Sequence, residues 1–145
     1  MNFITTIKVS FFTGTIASLA MMPAGLFFKF IGVRVGHYGP KLGALLFGEP
    51  TQLILFAQHL VIGWVSALPL VIFLTKTKFN DKPVLCGSIY GALYYVLINS
   101  LSLPIFFADK TPWELGFSYI YPSLIIHLIF GAAIGYSLRY FVQKD

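Results

Sequence analysis

Apolar residues run through the chain in four long blocks, roughly Val9 to Phe30, Thr51 to Thr75, Val84 to Phe107 and Pro122 to Phe141, separated by shorter polar stretches. Each block reaches about 20 residues, the length an α-helix needs to cross the hydrocarbon core of a bilayer. The pattern predicts an all-α membrane protein, with four transmembrane helices forming one bundle over residues 1–145 and no room for a soluble domain beside them.

The polar and small positions inside the blocks predict how the helices meet. The first block carries Gly14 and Ser18 one turn apart, a face that lets another helix approach closely, and Pro23 in its last third, where the backbone must kink or end. The second holds Gln52, Gln58, His59, Ser66 and Pro69, polar groups that must face protein or water. The third opens with Gly87 and Gly91, passes Tyr90, Tyr94 and Tyr95, and reaches Asn99, Ser100 and Ser102 before Pro104. The fourth opens on Pro122, whose missing N–H suits a first helical turn.

One stretch occurs twice. Gln58-His59-Leu60-Val61-Ile62-Gly63-Trp64 returns 68 residues later as His127-Leu128-Ile129-Phe130-Gly131. A further turn gives His59, Gly63, Ala67 and His127, Gly131, Gly135, a stripe at i, i+4, i+8 on one face of each helix. With Gly14 paired to Gly87, the chain reads as a hairpin used twice, the halves being parallel repeats that place His59 and His127 at similar depth in the outer half of the membrane. Convergent small-residue packing is the competing explanation, and Pro23 and Pro104 fall at different offsets from their glycines.

The connections carry the charge. Residues 32–50 hold Arg34, His37, Tyr38, Gly39-Pro40, Lys41 and Glu49, and Lys41 to Phe47 reads as an interfacial or partly re-entrant turn of helix. Lys76, Lys78, Asp81 and Lys82 mark a tight turn, and Trp113, Phe117, Tyr119 and Tyr121 form an aromatic cluster suited to headgroup level. Hydrophobic residues make up 57% of the chain and charged ones 10%, so the net charge of +5 does not point to nucleic acid; it sets orientation. Lys8, Lys76, Lys78, Lys82, Arg139 and Lys144 lie on one side against Lys29, Arg34, Lys41 and Lys110 on the other, which predicts cytoplasmic N- and C-termini. The N-terminal block has the outline of a secretory signal, yet it continues apolar past Pro23 and is read as a retained span. Cys86 is the one cysteine, so no intrachain disulfide forms.

Candidate chemistry centres on His59 and His127, with Gln58, Asn99 and Ser102 beside them, because an intramembrane histidine is costly and titrates near physiological pH. Three readings stay open: packing through hydrogen bonds, proton sensing, and ligation of a haem by two histidines on different helices. A metal site is not expected, since His37, His59, His127 and Cys86 are the strong candidates and Cys86 belongs at the opposite face. Met21-Met22 reads as apolar packing. Glu49, Asp81, Asp109, Glu114 and Asp145 all lie in connections or at the terminus, so paired carboxylates inside the bundle are absent and catalysis is not expected. Were there any, Arg34, His37 and Glu49 on the outer side would join the two histidines.

Ser100-Leu101-Ser102-Leu103-Pro104-Ile105-Phe106, followed by Trp113-Glu114, His127-Leu128-Ile129-Phe130 and a basic exit at Arg139, resembles the C-terminal half of the YagU-like bacterial inner-membrane proteins. The resemblance implies a bacterial inner-membrane location and, through its best-known member, a link to acid resistance. The long polar loop of that family is much reduced here, so a function borne on it does not carry over. The leading expectation is therefore a non-enzymatic inner-membrane protein tied to envelope or acid stress through its histidines. The alternative is a small oligomeric transporter or channel with a polar outer vestibule lined by Gln52, Gln58, His59, Asn99, Ser100, Ser102 and His127. The expected partners are the lipid bilayer and a second copy or another membrane protein; no cofactor is expected unless the haem reading holds. Direct contact between the histidines without a cavity favours the first expectation, and a continuous cavity the second.

Overall fold

The computed structural model describes residues 2–77 and 81–142, with side chains through Phe141. Lys78, Asn80, Lys144 and Asp145 lie outside the described residues. The chain is all-α, with four helical stretches long and apolar enough to cross a membrane: Phe3–Phe30, Gln52–Lys76, Pro83–Phe107 and Phe117–Phe141. The first is helix α1 (Phe3–Phe30). A short helix α2 (Tyr38–Phe47) precedes the second span, α3 (Gln52–Lys76). The third span is composite: α4 (Pro83–Tyr94), a π-helical stretch Tyr95–Ser102, and α5 (Leu103–Phe107). A four-residue turn of helix, α6 (Pro112–Leu115), leads to the last span, α7 (Phe117–Val142).

Local chemistry fixes the ends. Asn2 accepts a hydrogen bond from Thr5 N at 2.8 Å and Thr51 accepts one from Ile54 N at 3.3 Å, so both residues cap the helices that follow them. Lys29, Lys76 and Arg139 sit in last turns, where a cation complements the helix dipole. At the end of α1, Gly32 adopts φ 80° and Val33 N donates to Phe28 O at 2.8 Å, the left-handed exit that glycine makes without strain.

Several boundaries differ from the sequence expectation. Pro23 does not end α1, which runs on to Phe30. Gly39-Pro40 lies inside α2 rather than ahead of it, Pro40 falling in the first turn, where its absent N–H costs nothing. Helix α7 starts at Phe117, directly after Gly116 at φ 102°, and this places Pro122 in the second turn instead of the first. The π-helical stretch has a cause in the sequence: the ring of Pro104 clashes with the carbonyl four residues back in an α-helix, and the wider turn before it relieves the crowding. Ser102 Oγ donates to Leu97 O at 2.7 Å within that wider turn.

Two crossings are made backbone to backbone. A Cβ on Gly131 would lie 1.9 Å from Gly87 O, one on Gly91 2.0 Å from His127 O, and one on Gly135 2.0 Å from Pro83 O, so α4 and α7 meet at their main chains. In the other hairpin a Cβ on Gly14 would lie 2.7 Å from Gly63 O, and one on Gly63 1.9 Å from Ser18 Oγ. The expected packing residues Gly14, Ser18, Gly63, Ala67, Gly87, Gly91, Gly131 and Gly135 are all buried. Helix α1 also packs along α7 and joins the hairpins, whereas α3 and α4 meet over a short stretch around Ser66 and Tyr94.

The larger part of the core lies toward the end of the bundle that carries the termini. Val9, Ala17, Ala67, Leu70, Val71, Leu74, Phe130, Ile134 and Leu138 form one contiguous cluster there. A smaller cluster of Phe28, Val35 and Ile126 lies at the end that carries α2. Outward-facing Leu26, Val65, Leu93 and Leu97 are exposed, as lipid-facing positions of a spanning helix are.

Candidate functional site

Where the core stops, the bundle is hollow. A cavity of about 480 Å³ is walled by α1, α3, the third span and α7, and α2 reaches its rim. That volume falls within the roughly 300–1,000 Å³ of small-molecule sites. Its floor is a polar cross-tie: Ser66 Oγ donates to Tyr94 Oη at 2.8 Å, and Tyr90 Oη donates to Ser66 O. Below that tie lies the closed hydrophobic core.

His59 and His127 both line the cavity, on different helices. They do not bond one another. His59 Nε2 lies 3.1 Å from Ser18 O, and His127 Nδ1 lies 2.6 Å from Ser123 O. A carbonyl only accepts, so His59 donates through Nε2 and His127 through Nδ1, and in the neutral ring the other nitrogen is an acceptor. The His127 ring is held between Tyr94, stacked at 5.8 Å between centroids, and Tyr95 at 5.6 Å. The close crossing of Gly91 over the His127 carbonyl brings these rings together.

Of the other expected residues, Gln52, Gln58, Asn99 and Ser66 line the cavity. Gln58 Nε2 donates to Gly39 O at 2.9 Å and ties α3 to α2, while its Oε1 is buried without a hydrogen-bond partner. Ser18 Oγ is likewise buried and without one. Ser102 and Glu49 do not join the cavity; both are exposed, because the wider π turn directs Ser102 back to Leu97 and Glu49 follows the end of α2. Met21 and Met22, expected as packing, both contribute to the cavity wall.

A second space of about 310 Å³ lies at the α2 end, lined by Arg34, His37, Lys41, Asp109, Lys110 and neighbours. It shares Val35, Gly36, His37, Tyr38, Asn99 and Ser123 with the cavity, so the two form a vestibule and a chamber with a common wall. A latch crosses the vestibule. Lys41 Nζ donates to Asp109 Oδ2 at 2.5 Å, and His37 Nε2 lies 3.4 Å from the same oxygen. Tyr38 stacks on Phe107 at 5.9 Å, completing a bridge from α2 to the end of the third span. Ala108 takes a left-handed conformation at φ 51°, strain of about 1–2 kcal/mol for a residue with a Cβ, and so turns the chain into Asp109.

The hydrogen bond and charge of Lys41, with His37 beside it, hold the Asp109 carboxyl below the usual carboxylate range. Burial and the nearby Asp109 push the Tyr38 hydroxyl up. Glu114 is held low by hydrogen bonds from the Thr111 backbone and hydroxyl, a capping box that fixes α6 at the rim.

Sequence reasoning named Arg34, His37 and the polar groups of α3, but missed the pairing of Lys41 with Asp109. These residues lie 68 positions apart. The available signal was an acidic residue just after the third span, on the side where Lys41 follows the first. Among the described residues no group of three or more His, Cys, Asp or Glu side chains converges as a metal site would require. Comparison with protein-family models, with curated proteins and with solved structures gave no significant match in any of the three.

Proposed function

We propose that the chain is a bacterial inner-membrane protein, with both termini in the cytoplasm, that admits a small molecule from the outer side into the chamber between its helices. The observation that carries this reading is the shared wall between vestibule and chamber, with a floor closed by Ser66, Tyr90 and Tyr94. A chamber open at one end and closed at the other is the arrangement of a binding protein or of a transporter in one of its states. The excess of lysine and arginine at the end carrying the termini supports the orientation.

Binding is favoured over catalysis because each histidine donates to a backbone carbonyl and neither orients a nucleophile. The acid-stress reading is retained as the second one, on a specific observation: all three histidines of the chain, His37, His59 and His127, line this chamber. The matched crossings, Gly14 on Gly63 and Gly87 on Gly131, support reading the two hairpins as copies of one unit.

Thiol labelling tests the proposal. In a Cys86→Ser background, Asn99→Cys should react with a small membrane-impermeant thiol reagent added outside intact cells, and Ser137→Cys, buried in the closed half, should not. Reaction at neither position, or from the cytoplasmic side alone, would count against it.

A further inference from the structure

Charge and apolar surface are divided unevenly between the two spaces. Lys29, Arg34, Lys41 and Lys110 line them at the α2 end, against one carboxylate, Asp109, which Lys41 and His37 already hold. Among the described residues, Lys29 and Arg34 have no carboxylate within salt-bridge distance. The Lys29 ammonium lies 4.0 Å from where a Cβ on Gly36 would stand, at the wall common to vestibule and chamber. Beyond it the chamber turns apolar through Met21, Met22, Ile62, Ile126 and Phe130. Two buried polar atoms without partners, Ser18 Oγ and Gln58 Oε1, belong to residues of the chamber lining.

We infer that the chamber takes an anionic amphiphile, a phosphate or carboxylate head on a single alkyl chain, with the head at Lys29 and Arg34 and the chain directed toward Met22 and Phe130. The inference rests on the chamber being open to the vestibule, as proposed above. The physical argument has two parts. A free hydrophilic anion meets the cations but gains nothing from the apolar wall. A neutral chain gains little on leaving the bilayer, because lipid tails are as apolar as the wall. A molecule with both parts is selected by its head, through charge-assisted hydrogen bonds for which the planar guanidinium of Arg34 is suited. The volume of about 480 Å³ sits in the lower part of the small-molecule range, which favours one chain over two.

The full chain in phosphatidylcholine nanodiscs, titrated calorimetrically against empty-disc blanks, tests this with three probes: dodecyl phosphate, dodecanol and inorganic phosphate. Dodecyl phosphate should bind at least about tenfold more tightly than either of the others. The pair Lys29→Gln and Arg34→Gln, both exposed positions, should abolish that preference. Gly25→Leu should weaken the binding of dodecyl phosphate by filling the chamber, since a Cβ there has Ile126 Cδ1 as its nearest neighbour, at 4.0 Å. Lysophosphatidic acid built into the disc competes where the head is supplied by the bilayer and fails to where it is supplied from water, and both outcomes support the class. Equal binding of dodecanol and dodecyl phosphate would overturn the anionic class while leaving the chamber in place. No binding by protein that still labels at Asn99→Cys would overturn the class alone, and loss of both signals would remove the chamber reading as well.

Discussion

At the residue scale, the glycines divide into two kinds that the sequence alone does not separate. Gly131 stands where a methyl group would meet a backbone carbonyl, and backbone cannot step aside. Gly25 faces the chamber with open space around it. Gly131→Ala should therefore force α4 and α7 apart and destabilise the bundle by about 1–3 kcal/mol. Gly25→Ala should be neutral or stabilising by up to about 1 kcal/mol, through the better helix propensity of alanine. Thermal unfolding of both variants in mild detergent checks the pair, and equal losses would mean that the backbone contact does not limit stability. The histidines teach a related point. Their spacing was visible in the sequence, but which nitrogen each ring presents depended on Ser18 and Ser123 carbonyls that no pattern specifies.

At the scale of elements, the four spans and the faces Gly14/Ser18, Gly63/Ala67, Gly87/Gly91 and Gly131/Gly135 were legible because hydrophobic length and small-residue spacing are local properties. Less legible were the features that depend on distant partners. The bridge from α2 to the third span joins residues that no local pattern relates. That bridge has a signed pH dependence. Asp109 has a depressed folded-state pKa, so its contribution is present above the unfolded carboxylate value of about 3.9 and is lost as pH falls through the folded value. The groups facing it are Lys41, His37 and Tyr38. Asp109→Asn should lower the thermal midpoint at neutral pH, and the gap from the parent protein should close as the pH is taken below the carboxylate range. A gap that stays constant with pH would show that Asp109 acts through its shape and not its charge.

For the molecule as a whole, an all-α membrane bundle could be inferred from hydropathy, and a polar outer vestibule was one of the expectations, with Gln52, Gln58, His59, Asn99 and His127 now on the cavity wall. The extent of the hollow half could not be inferred. A chamber is a property of what four helices leave unfilled between them: Leu70, Val71, Ile134 and Leu138 fill one half, and the other presents Ser18, Gly25, His59 and His127 to an empty centre. The two glycine crossings carry a mechanical consequence. Main chains seated on each other cannot slide without climbing over Cα atoms, so each hairpin is a stiff plate. The plates are joined along the seam of α1 and α7, and on the opposite side the tie from Ser66 to Tyr90 and Tyr94 and the bridge from Lys41, His37 and Tyr38 to Asp109 and Phe107 draw them together. The bundle is thus built like a book, with its spine at α1 and α7. Cross-links within either plate should leave the proposed binding of dodecyl phosphate unchanged in rate, and one fastening α3 to α4 should slow it if the plates part as covers do; equal rates would place entry at the open α2 end alone.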